Sequence, residues 1–145
     1  RVIDPADPDL LPVQTGDGAA IARLRRRMAN LDGFVIVTPE YNHAEPGWLK
    51  TLIDSVVAEW WARPVGLIGY GGISGAARAV EDLRRVAIAL RMVPLVQGVV
   101  CPLYAQQRDE EGRFHANPTQ TTATTETLDA LADLGGILKA RRAAA

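Results

Sequence analysis

Apolar runs alternate along the chain with segments whose apolar residues repeat at helical spacing. The runs occupy residues 33–37, 64–69 and 91–96, and the last continues toward 99–100. The first run carries no charge, which suits a strand buried on both faces of a parallel sheet. Three such runs between amphipathic helices predict an α/β domain with helices on both faces of the sheet.

Four segments have the helical period. They span residues 18–30, 47–57, a stretch after 75, and 121–142. Asp17 is placed to cap the first helix. The last helix is expected to turn four leucines inward: Leu128, Leu131, Leu134 and Leu138. Residues 1–4 have the character of a strand end, and the prolines that follow predict an extended link: Pro5, Pro8 and Pro12.

Two strand–loop–helix junctions, at residues 38–50 and 70–75, follow the first two strands. In open α/β sheets, ligands bind beyond the carboxyl ends of the strands, at junctions of this kind. Pro39 and Pro46 stiffen the first loop, and the glycines of the second permit a close approach to the backbone. The spacing alone is equally typical of loops that only start a helix. The residues within the loops must therefore distinguish a ligand-binding loop from a simple helix start.

The first junction carries a long motif. Residues 38–42 read Thr-Pro-Glu-Tyr-Asn, and the pairs Pro-Gly, Leu-Lys and Ile-Asp follow at 46–47, 49–50 and 53–54. This series closely resembles the NADPH-dependent FMN reductase family, the flavodoxin-like reductases of quinones, azo dyes and chromate. The chain departs from the family's pattern at Thr51 and Ser55, both on the helix rather than in the loop.

The resemblance implies a flavodoxin-like three-layer α/β sandwich with a parallel sheet, formed as one FMN-binding domain over residues 1–145. In the family, the first loop lies against the isoalloxazine ring, and the second loop contacts the pyrimidine side of that ring. The implied cofactor-binding residues are Pro39, Glu40, Tyr41, Asn42, Tyr70, Gly71, Gly72 and Gly75. Backbone N–H groups at 40–42 and 71–72 would then stabilise negative charge on the reduced ring.

The implied activity is that of an FMN-dependent NAD(P)H oxidoreductase. Electrons would pass from NADPH through FMN to a quinone, azo or metal-oxyanion acceptor. No side chain is expected to be catalytic, because the cofactor performs the chemistry. The resemblance also implies a homodimer or homotetramer, which the apolar helix at 47–57 and the adjacent Trp60 and Trp61 support.

The family's first strand, its phosphate loop and its first helix have no counterpart in residues 1–145. Residues 1–4 match the second strand of the family. We therefore expect the natural protein to contain one more βα unit upstream, about 30 to 45 residues long. Phosphate contacts are charge-assisted and strong, so we expect residues 1–145 alone to bind FMN weakly.

Composition excludes several other classes. The formal net charge is −1, so no basic field attracts nucleic acid. No apolar run approaches the roughly 20 residues that span a bilayer. Cys101 is the only cysteine, which excludes an internal disulfide and fits a cytoplasmic protein. His43, Cys101 and His115 lack paired ligand spacing, so no metal site is expected.

Three alternatives compete with the reductase interpretation. A nicotinamide-binding motif at 69–74 lacks its third glycine, because Ser74 stands there. A serine hydrolase would use Ser74, Asp109 and His115, but its elbow requires glycine where Ala76 stands, and nothing in the sequence anchors His115. A flavodoxin-like electron carrier or a non-catalytic flavin-binding module shares the cofactor and differs in not oxidising NADPH itself.

Overall fold

Three parallel strands form the centre of the protein, whose residues 1–144 are described by the computed structural model. The strands are β1 (Phe34–Pro39), β2 (Pro64–Tyr70) and β3 (Val93–Cys101), hydrogen-bonded in the order β1-β2-β3. Both strand pairs are parallel, which confirms the predicted α/β class.

The helices around the sheet are α1 (Gly18–Met28), α2 (Gly47–Asp54), α3 (Ala77–Ala89) and α4 (Pro118–Ala143). Short 3-10 helices lie at Leu11–Thr15 and Tyr104–Gln107. α1 begins where the sequence predicts, because the Asp17 carboxylate accepts a hydrogen bond from the Ala20 N–H at 2.7 Å. Within residues 1–144, every helix is too short or too polar to cross a bilayer.

The main core lies between the sheet and the layer formed by α1, α2 and α3. Val65 and Leu67 of β2 point into it and are almost fully buried. They belong to one cluster with residues of all three helices: Leu24, Met28, Leu52, Ile53, Val80 and Leu83. Trp60 joins the same core beside Phe34, with ring centroids 4.7 Å apart, and its Nε1 donates to the Ile53 carbonyl at 2.9 Å. These contacts hold β1 and β2 against the helices that follow them.

The opposite face of the sheet is covered by α4, mainly over β2 and β3. Gly66 faces this helix, and a Cβ there would stand 2.8 Å from the Thr127 methyl group, so the helix lies directly on the backbone of β2. On the same face of β1, Val35 and Val37 are 36% and 56% exposed. The prediction that this strand is buried on both faces is therefore wrong, because only its α1–α3 side is covered.

α4 begins at Pro118 instead of residue 121, because Asn117 and Gln120 form a capping box. Asn117 Oδ1 accepts the Gln120 N–H at 2.9 Å, and the Gln120 side chain accepts the Asn117 N–H. Of the four leucines expected to face inward, Leu128 is exposed and three are half-buried: Leu131, Leu134 and Leu138. Thr127 and Gly135 are buried in their place, since only small residues allow this close approach to the sheet.

The connection between α2 and β2 departs from the predicted helix. α2 ends at Asp54 instead of residue 57, where the Ser55 hydroxyl donates back to the Thr51 carbonyl at 2.6 Å. The two adjacent tryptophans then separate. Trp60 is buried, whereas Trp61 is partly exposed and lies 4.8 Å from the Arg91 guanidinium.

The N-terminal segment is more compact than predicted. Residues 1–4 form no strand and pair with none of the three strands of the described residues. Residues 5–16 fold into turns and the first 3-10 helix instead of an extended link, and Leu10 is fully buried. Arg27 of α1 holds this segment through the Asp7 carboxylate at 2.6 Å.

The register of the strands brings their carboxyl ends to one level. Pro39 of β1 pairs with Tyr70 of β2, and Tyr70 pairs with Cys101 of β3. The segments that follow these residues therefore start side by side at one edge of the sheet. The two loops expected to bind a ligand meet at this edge.

Candidate functional site

The first loop at this edge closes immediately into a tight turn. The Tyr41 N–H donates to the Ala44 carbonyl at 2.8 Å, and the Ala44 N–H donates to the Tyr41 carbonyl at 3.2 Å. Asn42 and His43 both have positive φ, 51° and 73°, as in a type I′ turn. Asn tolerates this conformation better than most residues. The turn thus presents Asn42 at its tip, with the exposed Tyr41 ring beside it.

The second loop is held from behind by the segment that follows β3. The Gly71 N–H donates to the Cys101 carbonyl at 3.2 Å, and the Gly71 carbonyl accepts the Tyr104 N–H at 3.2 Å. The Gly72 carbonyl accepts the Leu103 N–H at 2.8 Å. The glycine loop is therefore fixed by backbone hydrogen bonds rather than left free to adapt.

The glycines in and beside this loop have different surroundings. Gly75 has φ of 58°, and a Cβ there would stand 2.8 Å from the Pro102 backbone nitrogen. Gly69 is equally constrained, because its Cβ would stand 2.7 Å from the Gly75 carbonyl oxygen. A Cβ on Gly72 would meet no atom within 4 Å. Gly75 thus serves the packing of the loop, whereas Gly72 has open space in front of it.

Only some of the N–H groups expected to face a ring are free to do so. Those of Tyr41 and Gly71 donate within the protein. Those of Asn42 and Gly72 have no acceptor among residues 1–144. Each loop therefore keeps unpaired donors at the edge of the sheet, Asn42 on the first and Gly72 on the second among them.

The Glu40 side chain turns away from the open space and toward α3. Its carboxylate accepts hydrogen bonds from Arg78 and from the Ser74 hydroxyl, and the side chain is only 7% exposed. The hydrogen bonds from the Arg78 guanidinium lower the pKa of Glu40 below its usual range, against the effect of burial. Glu40 is therefore an anion at neutral pH, and its charge is directed into the protein.

Tyr70 ends β2 and packs edge-to-face on Tyr104, with ring centroids 4.9 Å apart. Burial raises the pKa of the Tyr70 phenol, and the neighbouring Tyr104 and Tyr41 phenols raise it further. Tyr70 is therefore neutral at physiological pH and keeps its proton as a donor. The ring also lines a cleft of about 430 Å³ on the α4 side of the strand ends, together with Phe114.

The residues of the hydrolase alternative do not assemble into a triad. His115 is anchored, contrary to the sequence-based expectation, because its Nε2 lies 2.8 Å from the Asp109 carboxylate. The hydrogen bond to His115 lowers the pKa of Asp109. Ser74, however, donates its hydroxyl to Glu40 at 3.2 Å and makes no hydrogen bond to His115 within residues 1–144. A serine bonded to a carboxylate in this way has no histidine base to activate it.

The residues at the sheet edge fit the ring end of FMN. An isoalloxazine ring is flat and carries acceptor atoms along one edge. The unpaired N–H groups of Asn42 and Gly72, the open space over Gly72 and the exposed ring of Tyr41 suit such a group. The first turn of α3 already holds the Glu40 carboxylate, so it is not open to a phosphate.

Comparisons with known proteins agree with this geometry. A profile of the NADPH-dependent FMN reductase family matches residues 1–106. An NAD(P)H-dependent FMN reductase of Schizosaccharomyces pombe is 36% identical over 89 residues, covering 52% of this chain and 44% of that protein. A 2-hydroxy-1,4-benzoquinone reductase of a Burkholderia species is 43% identical over 108 residues, covering 70% of this chain and 56% of that protein. The chain spans about half the length of the curated relatives it matches.

Solved structures share the fold. FerB, a flavoenzyme NAD(P)H:(acceptor) oxidoreductase from Paracoccus denitrificans, aligns with a TM-score of 0.67 at 22% identity, covering 92% of this chain and 75% of that chain. An oxidoreductase from Corynebacterium diphtheriae aligns with a TM-score of 0.64 at 18% identity, covering 94% and 73%. At such identities the similarity shows the fold alone, and it confirms the flavodoxin-like architecture.

The two roles of glycine in the second loop predict different costs of substitution. Gly75→Ala should lower the free energy of unfolding by about 2 to 4 kcal/mol, because its Cβ would strain the left-handed backbone at this position and would clash with Pro102. Gly72→Ala, in the same loop, should change it by less than about 0.5 kcal/mol, as an open surface position does. Urea denaturation of both variants checks this, and equal losses would contradict the assignment.

Proposed function

Because the chain belongs to the NADPH-dependent FMN reductase family, we propose that the protein is an FMN-dependent NAD(P)H oxidoreductase. Its acceptor would be a quinone, an azo compound or a metal oxyanion. One observation carries the proposal: the family's motif lies on the loop that meets the glycine loop in register, and both loops offer unpaired N–H groups, including those of Asn42 and Gly72.

When bound, FMN supplies the redox chemistry, by accepting a hydride from NADPH and reducing the acceptor. The chain binds and orients the ring. The N–H groups of Asn42 and Gly72 donate to acceptor atoms at its edge and favour the negative charge that reduction places there. Because hydrogen bonds already fix the backbone of both loops, the loops need to move little when charge develops on the ring. Tyr41 supplies flat apolar surface, and the neutral Tyr70 phenol remains available as a donor.

The small-molecule acceptor is supported by the names of two relatives, a quinone reductase of Escherichia coli and the Burkholderia benzoquinone reductase. A cytoplasmic location is proposed because the chain belongs to a family that uses NADPH and FMN. The single cysteine agrees with it: Cys101 is buried, and burial raises the pKa of its thiol. Recovery of the protein outside the cytoplasm after cell fractionation would contradict it.

The reductase proposal predicts that purified full-length protein takes up FMN and then oxidises NADPH when a quinone is supplied. Flavin absorption after gel filtration measures uptake, and the loss of NADPH absorption measures turnover. The same assay with NADH in place of NADPH shows which of the two co-substrates the protein prefers. Failure to take up FMN even in excess would sink the proposal. Uptake without NADPH oxidation would replace it with the electron-carrier alternative.

We also propose that the protein forms a homodimer or homotetramer through the surface around α2. Trp48 is 55% exposed, and Val57 and Trp61 nearby in the chain are also exposed. Large aromatic side chains on a surface are typical anchors of interfaces. Association would bury them next to the first loop, since Trp48 follows that loop directly.

The interface hypothesis predicts that Trp48→Lys shifts the protein from a dimer or larger species to the mass of one chain. Ile137→Lys is the control, because Ile137 is an apolar residue on α4, across the sheet, and is 67% exposed. Sedimentation equilibrium of dilute samples measures the mass. A wild-type protein that sediments as a single chain, or an equal effect of both substitutions, would count against this surface.

A further inference from the structure

Glu40 joins the two loops beyond the point where the strand ladder ends. The last residues paired between β1 and β2 are Pro39 and Tyr70. Among residues 1–144, the hydrogen bonds between the segments 40–46 and 71–78 all pass through the Glu40 carboxylate. The spacing of the two loops above the sheet therefore depends on one side chain.

The contacts of this carboxylate reach both a side chain and the backbone. Its Oε1 accepts from Arg78 Nε at 2.7 Å, from a terminal nitrogen of the same guanidinium and from the Ser74 hydroxyl at 3.2 Å. Its Oε2 accepts the backbone N–H of Arg78 at 3.2 Å. Charged hydrogen bonds of this kind are stronger than neutral ones. We call the Glu40 carboxylate with Ser74 and Arg78 the loop latch.

The loop latch supplies an acceptor to the first turn of α3, which has no side-chain cap of its own. Ala76 occupies the N-cap position with φ of 67° and no side-chain hydrogen bond to the helix. The first N–H groups of a helix need external acceptors, and a negative charge at this end is favourable. Glu40 supplies both from the other loop, 38 residues earlier in the chain. The latch thus fixes the start of α3 as well as the turn at 41–44.

An ion pair with a solvent-exposed partner contributes little net stability, and the Arg78 side chain is 52% exposed. The benefit of the pair must then lie in the geometry it imposes. The geometry imposed here is the separation between the Asn42 and Gly72 donors, since each belongs to one of the two latched loops.

We propose that Glu40 is a positioning residue, which sets the spacing of the two loops through Ser74 and Arg78 without touching the cofactor. The identity of the ligand, FMN, rests on the proposed function. The contacts of the loop latch do not depend on that function. The family resemblance places Glu40 among the cofactor-binding residues, and its side chain acts here through the two loops.

The test compares Glu40→Ala and Glu40→Gln with Arg85→Gln in the full-length protein. Arg85 is the matched control, because it forms an exposed ion pair with Asp82 on the same helix. Backbone hydrogen exchange in the absence of flavin reports whether the loop latch holds the two loops. Titration with FMN gives the Kd, which reports whether the loops are positioned to bind the ring. Glu40→Ala should speed exchange in peptides covering 41–46 and 72–79 and raise the Kd for FMN roughly tenfold or more. Glu40→Gln, which keeps an acceptor but loses the charge, should show smaller changes of both kinds.

The control should match wild type in both measurements, and exchange at the centres of β1 and β2 should stay protected in all variants. Unchanged exchange in the two loops would overturn the latch, whether or not the protein binds FMN. Faster exchange in the loops with an unchanged Kd would overturn the positioning role. Faster exchange throughout the chain would show general destabilisation and would also contradict the proposal. If Glu40→Ala fails to fold, the same two measurements on Glu40→Gln decide the outcome. Wild type that binds no FMN would contradict the proposed function and the positioning role, while the exchange data would still decide the latch.

Discussion

The parallel register that sets Pro39 beside Tyr70 is the constraint on which the site depends. β1 and β2 therefore end at one level, and two loops that start 31 residues apart in sequence begin as neighbours. A slip of one residue would turn the buried side chains of either strand to the opposite face. Val65 and Leu67 prevent such a slip, because the core between the sheet and the α1–α3 layer accepts them on one face only. The packing of the core therefore also determines the geometry of the site.

Beyond the ladder, the site is built largely from backbone. The 41–44 turn and the glycine loop are held by backbone hydrogen bonds and leave several N–H groups unpaired, including those of Asn42 and Gly72. Unpaired donors held by a rigid backbone can stabilise charge on a ligand without moving. Such donors would hold the ring through the main chain, while the Glu40 side chain points into the protein.

Much of the fold could be predicted from the sequence, because local patterns specify it. The three strands, α1 with its Asp17 cap, and α3 follow directly from apolar runs, helical spacing and capping. The failures concern tertiary context. Leu128 has the period of a core residue, yet α4 approaches β2 so closely that small residues face the sheet. The apolar character of Val35 predicts burial, but α4 packs mainly over the other two strands.

The candidate site was predictable in its location and less so in its contacts. The motif at 38–42 and the glycines at 71–72 identify the two loops, since such motifs mark the junctions themselves. The bond between Glu40 and Arg78 joins residues far apart in sequence, so no local pattern reveals it. One signal was present: Ala76 precedes α3 without a capping side chain, which indicates that the cap comes from elsewhere. The role of Gly75 likewise depends on Pro102, which only the fold brings close.

The central claim is that the flavin ring binds where the two loops meet. Amide chemical shifts of the isotope-labelled full-length protein, followed during titration with FMN, test it most directly. The account predicts that the largest changes occur at the unpaired N–H groups of Asn42 and Gly72, while those of Tyr41 and Gly71, already hydrogen-bonded within the protein, change less. Changes centred on Tyr104 and Phe114 in the cleft beside α4, with Asn42 and Gly72 unmoved, would contradict it.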